Sequence, residues 1–214
     1  TERCWLNQEF MINNITNDMR KTTFAPNAPD KWRTNPNTWL NSSDIINIMR
    51  QYEEEFPYFK FMGPSPIDFD KKKYFGNCVW NELCNFSLKN LIKKNKSIIG
   101  IIWNADPHTE PGEHWICMVI NIKKKYIYFF DSNADETPSE IIKFQRKVIL
   151  QGKAIDIDFK LKRNNKRHQY GDSQCGMYCL YILTTVAKNP NHLLEFDHRI
   201  SDKEMQNLRK KYYN

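Results

Sequence analysis

The sequence predicts an α+β domain in which helices pack around a central, mostly antiparallel sheet. Three observations carry that expectation. A strand-sized apolar run, Ile98 to Trp103, stands in the middle of the chain. Two further apolar stretches, 114–122 and 126–133, follow it with a lysine turn between them, the pattern of a β-hairpin. Segments with helical spacing and recognisable caps lie on either side.

Taken in order, residues 1–37 form an N-terminal arm and 38–214 the main domain. Positions 25–37 are rich in Pro and Asn and read as a surface loop. Ser42 or Ser43 is an expected N-cap for a helix whose apolar positions are Ile45, Ile48 or Met49, Tyr52 and Phe56. Residues 62–70 read as a loop and 77–95 as mainly helical. The apolar strand at 96–104 leads through a polar Pro- and Gly-containing loop into the hairpin. Thr137 is an expected cap, with Pro138 at the first helical position and Glu140 at the third. Alternation from Ile155 predicts another strand. Cys175 opens the next helix, and Ser201 with Glu204 caps a C-terminal one.

Composition narrows the function. The 214 residues are 40% hydrophobic and 27% charged, an ordinary globular balance. No apolar run approaches the roughly 18 to 20 residues of a membrane span. The chain begins at Thr1, and nothing at that end reads as a signal peptide. Cysteines at 4, 78, 84, 117, 175 and 179 show no CxxC pair, which argues against a disulfide framework and a zinc knuckle and for a reducing compartment. The net charge of +7 comes from short lysine clusters at expected turns. They read chiefly as solvated surface and leave a nucleic-acid or acidic partner open.

The chemistry gathers on the hairpin and the helix after it. His114 begins the first hairpin strand and Asp131 ends the second, so an antiparallel turn brings them to one edge. An Asp beside a His fixes its tautomer and stabilises its charged form. Cys175 at a helix N-terminus meets free N–H groups and the positive end of the dipole, which favour a thiolate. Gln169 offers an amide donor for an oxyanion, and Gly176 leaves room near the backbone. Cys117 and Cys179 read as core packing. His108 and His168 could share a metal on paper, but no ligand spacing supports one. At this level Cys175 is open to two readings, a nucleophile or a buried structural thiol.

The order His114, Asp131, Gln169, Cys175, with "HW" at 114–115 and Gln six residues before "CG", resembles the ubiquitin-like-protein proteases, a group that includes SUMO proteases and adenovirus protease. "WLNSSDI" at 39–45 is similar to the Trp-Leu-Asn segment that opens the SUMO protease catalytic domain. "NADPHTEPGEHW", "YFFDSNA", "RHQYGDSQCG" and "RISDKEM" resemble the African swine fever virus type of polyprotein protease. The resemblance spans roughly residues 38–214. It implies an adenovirus-protease-like fold and a cysteine endopeptidase, with Cys175 as nucleophile, His114 as base and acid, Asp131 orienting His114, and Gln169 in the oxyanion hole. It further implies that Trp39, Asn41, Trp115 and Gly176 meet substrate, the two tryptophans flanking a tunnel for Gly-Gly. No cofactor or metal is implied. The implied substrates are viral structural polyproteins, or alternatively SUMO or ubiquitin-like conjugates of the host. The implied place is the cytoplasm of an infected cell or the virion. Ser42 stands where SUMO proteases commonly carry an acid, which argues against SUMO itself.

Overall fold

A computed structural model of the protein describes residues 26, 28, 30–35, 37–191 and 199–213. In chain order its elements are α1 (Lys31–Thr34), α2 (Ser42–Glu55), β1 (Phe59–Pro66), a 3-10 turn (Tyr74–Gly76), α3 (Asn81–Cys84), α4 (Leu88–Lys93), β2 (Ile98–Asn104), β3 (Trp115–Asn121), β4 (Tyr126–Phe130), α5 (Ser139–Lys153), β5 (Lys160–Arg163), α6 (Cys175–Lys188) and α7 (Asp202–Tyr212). The five strands lie in sequence order across one sheet. Its centre is antiparallel, β2 with β3 and β3 with β4, while both outer pairings, β1 with β2 and β4 with β5, are parallel.

The three central strands β2, β3 and β4 are almost wholly apolar because both faces of the sheet are covered there. Ile98, Ile102, Trp115, Cys117, Val119, Tyr126, Tyr128 and Phe130 turn to one core with α2, α6 and α7. Their neighbours Ile99, Ile101, Trp103, Ile116, Met118, Ile127 and Phe129 turn to a second core with α5. Alternation therefore sorts apolar residues between two interiors instead of between inside and outside. α6 comes down closely onto the sheet at Gly100, where an added Cβ would lie 2.9 Å from Phe59 and 3.0 Å from Leu183.

Several boundaries differ from expectation, each for a local reason. The N-cap of α2 is Asn41, not Ser42 or Ser43. Its side chain accepts from Asp44 N–H while Asp44 accepts from Asn41 N–H, a complete capping box that draws both serines into the first turn. Residues 62–66, expected as loop, continue β1. Pro64 and Pro66 are tolerated because β1 is an edge strand, and its register shifts between Met62 and Ser65. α5 starts one residue later than expected, with Pro138 at the cap position and no side-chain cap. The strand expected from Ile155 begins only at Lys160, because Ile155 and Ile157 N–H both close back onto Gly152 O. One local pair, Cys78 and Cys84, is bonded, which is not the disulfide framework that the spacing argued against. Spacing rules detect frameworks and metal sites, not a single local pair. The capping box expected at Ser201 and Glu204 is present. Most of the expected arm, residues 1–37, lies outside the described residues; at its end Trp32 packs against Tyr213 with ring centroids 4.8 Å apart.

Candidate active site

The hairpin register, with Cys117 opposite Phe130, sets Asp131 just past the end of β4 and beside the start of β3, where His114 stands. His114 Nε2 and Asp131 Oδ1 are 2.9 Å apart. The same Oδ1 accepts from Asn133 N–H at 2.8 Å. With Nε2 committed to Asp131, the other ring nitrogen is left for Cys175, whose sulfur accepts a hydrogen bond from the charged ring. Burial works against a charged imidazole. The Asp131 and Cys175 partners outweigh it and push the His114 pKa up to about 10. The arrangement thus favours a charged imidazolium at His114.

Cys175 opens α6 and is only 2% exposed. Its N–H and those of the next residues have no earlier turn to donate to, since the first intrahelical acceptor, Gln174 O, is taken by Tyr178 N–H. These donors face the sulfur's surroundings and are suited to a developing oxyanion. Gln169, 3% exposed, is held from both ends: Ser132 Oγ donates to its Oε1 at 2.9 Å, and its Nε2 donates to Gly171 O at 2.8 Å. An amide carries two N–H groups, and this bond uses one of them.

Trp115 is pinned. Its indole N–H donates to Leu40 O at 2.9 Å, and its ring edge meets the backbone of Gly176. A Cβ on Gly176 would stand 3.1 Å from Leu40 and 3.2 Å from Trp115, so the missing side chain lets both close on the helix end. That use differs from the room for a substrate carbonyl expected there. Trp39 is 43% exposed, which excludes ordinary core packing for it. Asn41 is exposed and its side chain is spent on the α2 cap. On the far side of Trp115 a concavity of about 250 Å³ is lined by Ser42, Trp80, Asp106, His108 and Glu110 among others.

Sequence reasoning missed the residue that holds Asp131. Asn164 Nδ2 donates to Asp131 O at 2.6 Å while its Oδ1 accepts from Asp131 N–H at 3.0 Å. It lies in a polar run, Lys160 to Arg167, that reads as solvated surface. His168 is buried, its Nδ1 accepting from Ile200 N–H, and His108 pairs with Asp68 at 2.7 Å. Among the described residues no group of three metal-ligating side chains stands together, and no helix is long and apolar enough to cross a membrane.

The C-terminal catalytic domain of the Ulp1 protease family matches residues 48–214. The chain belongs to that family. It is a cysteine-type peptidase by membership, and its relatives carry the same designation. A thiol protease of Acanthamoeba polyphaga mimivirus is 29% identical over 99% of this chain and 68% of its own length. The cysteine protease of African swine fever virus is 27% identical over 79% of this chain and 66% of its own length. Other isolates of that virus carry proteins named SUMO-1 cysteine protease, one of them 25% identical over 79% of this chain. Among solved structures, the African swine fever virus protease superposes with a TM-score of 0.70 at 19% identity, covering 96% of this chain and 77% of that one. The SUMO protease Ulp1 superposes with a TM-score of 0.58 at 18% identity, covering 83% of this chain and 77% of that one. The mixed sheet between helices is therefore the Ulp1-family fold.

Proposed function

We propose that this Ulp1-family protein is an endopeptidase that cuts after Gly-Gly in extended polypeptide and matures structural polyproteins of a large DNA virus. One observation carries the specificity. The approach to Cys175 runs past an indole that cannot move aside, because Trp115 is tied to Leu40 O and wedged against Gly176. With Trp39 exposed on the neighbouring segment, a chain without side chains is the one best suited to thread such a slot. Viral relatives named as proteases support a viral setting, and infected cytoplasm or the virion is the location that fits this proposal.

In this reading Cys175 thiolate attacks the carbonyl carbon of the second Gly. The oxyanion is held by N–H groups at the start of α6 and by Gln169. Collapse of the tetrahedral adduct breaks the C–N bond, and His114 gives its proton to the departing amine. His114 then takes a proton from water, whose oxygen attacks the thioester and releases the acid and Cys175. The exposed lysines 123–125, beside Lys160, offer an acidic or nucleic-acid partner a surface whose binding would weaken with salt.

The test sets Gly-Gly-Xaa peptides beside reporters carrying intact SUMO or ubiquitin, with Cys175→Ala as blank. Cleavage of the short peptides at a comparable kcat/KM supports the proposal. A strong preference for the intact modifiers overturns it in favour of a deconjugase, and turnover by Cys175→Ala overturns the nucleophile assignment.

A further inference from the structure

The C-terminal helix carries a cation into the interior. Arg209 on α7 is 5% exposed, and burial opposes its charged form. Its partners come from two segments far apart in sequence. Nη1 donates to Thr38 O at 2.7 Å, one residue before Trp39, and Nη2 donates to Ser173 O at 3.1 Å, two residues before Cys175. The guanidinium carbon sits 4.4 Å from the centre of the Trp32 ring.

Joining two carbonyls does not by itself require a charge. A neutral amide would do it with less desolvation. The charge acquires a use from its surroundings: the guanidinium interacts electrostatically with Tyr213, with Asp44 and with Cys175. Cys175 in turn interacts with His114, just before β3, and with Cys179 one turn along α6. The same guanidinium favours the charged form of Asp44, against the burial that raises its pKa.

We propose that Arg209 is a positioning residue for the catalytic thiol: one guanidinium clamps the Trp39 segment to the loop before Cys175 and keeps a positive charge behind the nucleophile. The planar fork suits the two diverging carbonyls better than a lysine ammonium does. This rests on Cys175 being the nucleophile.

The test is the rate of iodoacetamide labelling of Cys175 against pH, located by mass spectrometry, with thermal melts and peptide kinetics on the same samples. In Arg209→Gln, which keeps N–H donors and removes the charge, the labelling profile moves up by about one pH unit, an approximately tenfold loss of rate below the midpoint. Arg209→Lys keeps the wild-type profile but loses kcat/KM, because the clamp is gone. An Arg209→Gln profile identical to wild type overturns the proposal and leaves Arg209 a structural tether. Should that variant fail to fold, Asp44→Asn reads the same field from the other side. Its profile moves down because the guanidinium is no longer shared, and an unchanged or raised profile overturns the proposal. Wild-type Cys175 that labels no faster than Cys117 or Cys179 would sink the nucleophile reading itself. Normal labelling without peptide turnover would sink only the substrate.

Discussion

A single oxygen of Asp131 serves two donors, the His114 ring and Asn133 N–H, while the backbone of the same residue is gripped by Asn164. Asp131→Asn keeps the shape and removes the charge that holds the imidazolium. kcat/KM should then fall by roughly 10²–10⁴-fold, the range expected when general acid–base chemistry is disabled. The pH profile supplies the sign. A His114 pKa of about 10 keeps the ring charged through neutral pH, so the wild-type alkaline limb should lie near pH 10 and move down in Asp131→Asn. An unmoved limb would mean that His114 is not the group titrating. Asn164→Ala removes both the donor and the acceptor that fix the Asp131 backbone. It should lower kcat about tenfold or more with little change in KM, and melting curves separate that from loss of fold. None of this was visible at position 164, where the residue sits among lysines and arginines and only the tertiary return of β5 to β4 buries it.

Elements differ in how far they could be read in advance. The β2, β3 and β4 strands and α6 were legible because long apolar runs and a sharp polar-to-apolar switch are local signals. β1 was not, because its two prolines read as a loop until the pairing with β2 is known. β5 was misplaced because alternation at 155–159 mimics a strand that a turn at Gly152 forestalls. Among candidate site residues, chain order and family phrasing singled out Cys175, His114, Asp131 and Gln169; the fold joins His114 to Asp131 and Cys175 and ties Gln169 to Ser132, next to Asp131. Arg209 and Asn164, whose partners are backbone carbonyls far away in sequence, left no such trace. The start of α6 yields its own prediction. Gly176→Ala pushes a methyl toward Leu40 and the Trp115 ring, so overpacking should cost about 1–3 kcal/mol of stability. It should also raise KM for Gly-Gly peptides more than it lowers kcat, which steady-state kinetics would read directly.

Across the whole molecule, the sheet divides two interiors with different duties. The site hangs on the α2, α6 and α7 side, while Phe144 of α5 anchors the other with edge contacts to Phe69, Phe86 and Trp103. Phe144→Ala should cost about 3–5 kcal/mol and, at roughly 2–4 °C per kcal/mol for a chain of this length, lower Tm by roughly 10 °C. Well below that Tm, kcat/KM should match wild type; a large kinetic defect would show that the two sides are coupled. The strands at the two rims have a consequence of their own. β1 lacks amide protons at Pro64 and Pro66, and the N–H of Phe61 is already given to Glu53. β5 bristles with Lys160, Lys162 and Arg163. Neither rim offers a foreign strand an easy ladder to extend, so the enzyme is suited to crowding with its own copies without zipping into fibrils.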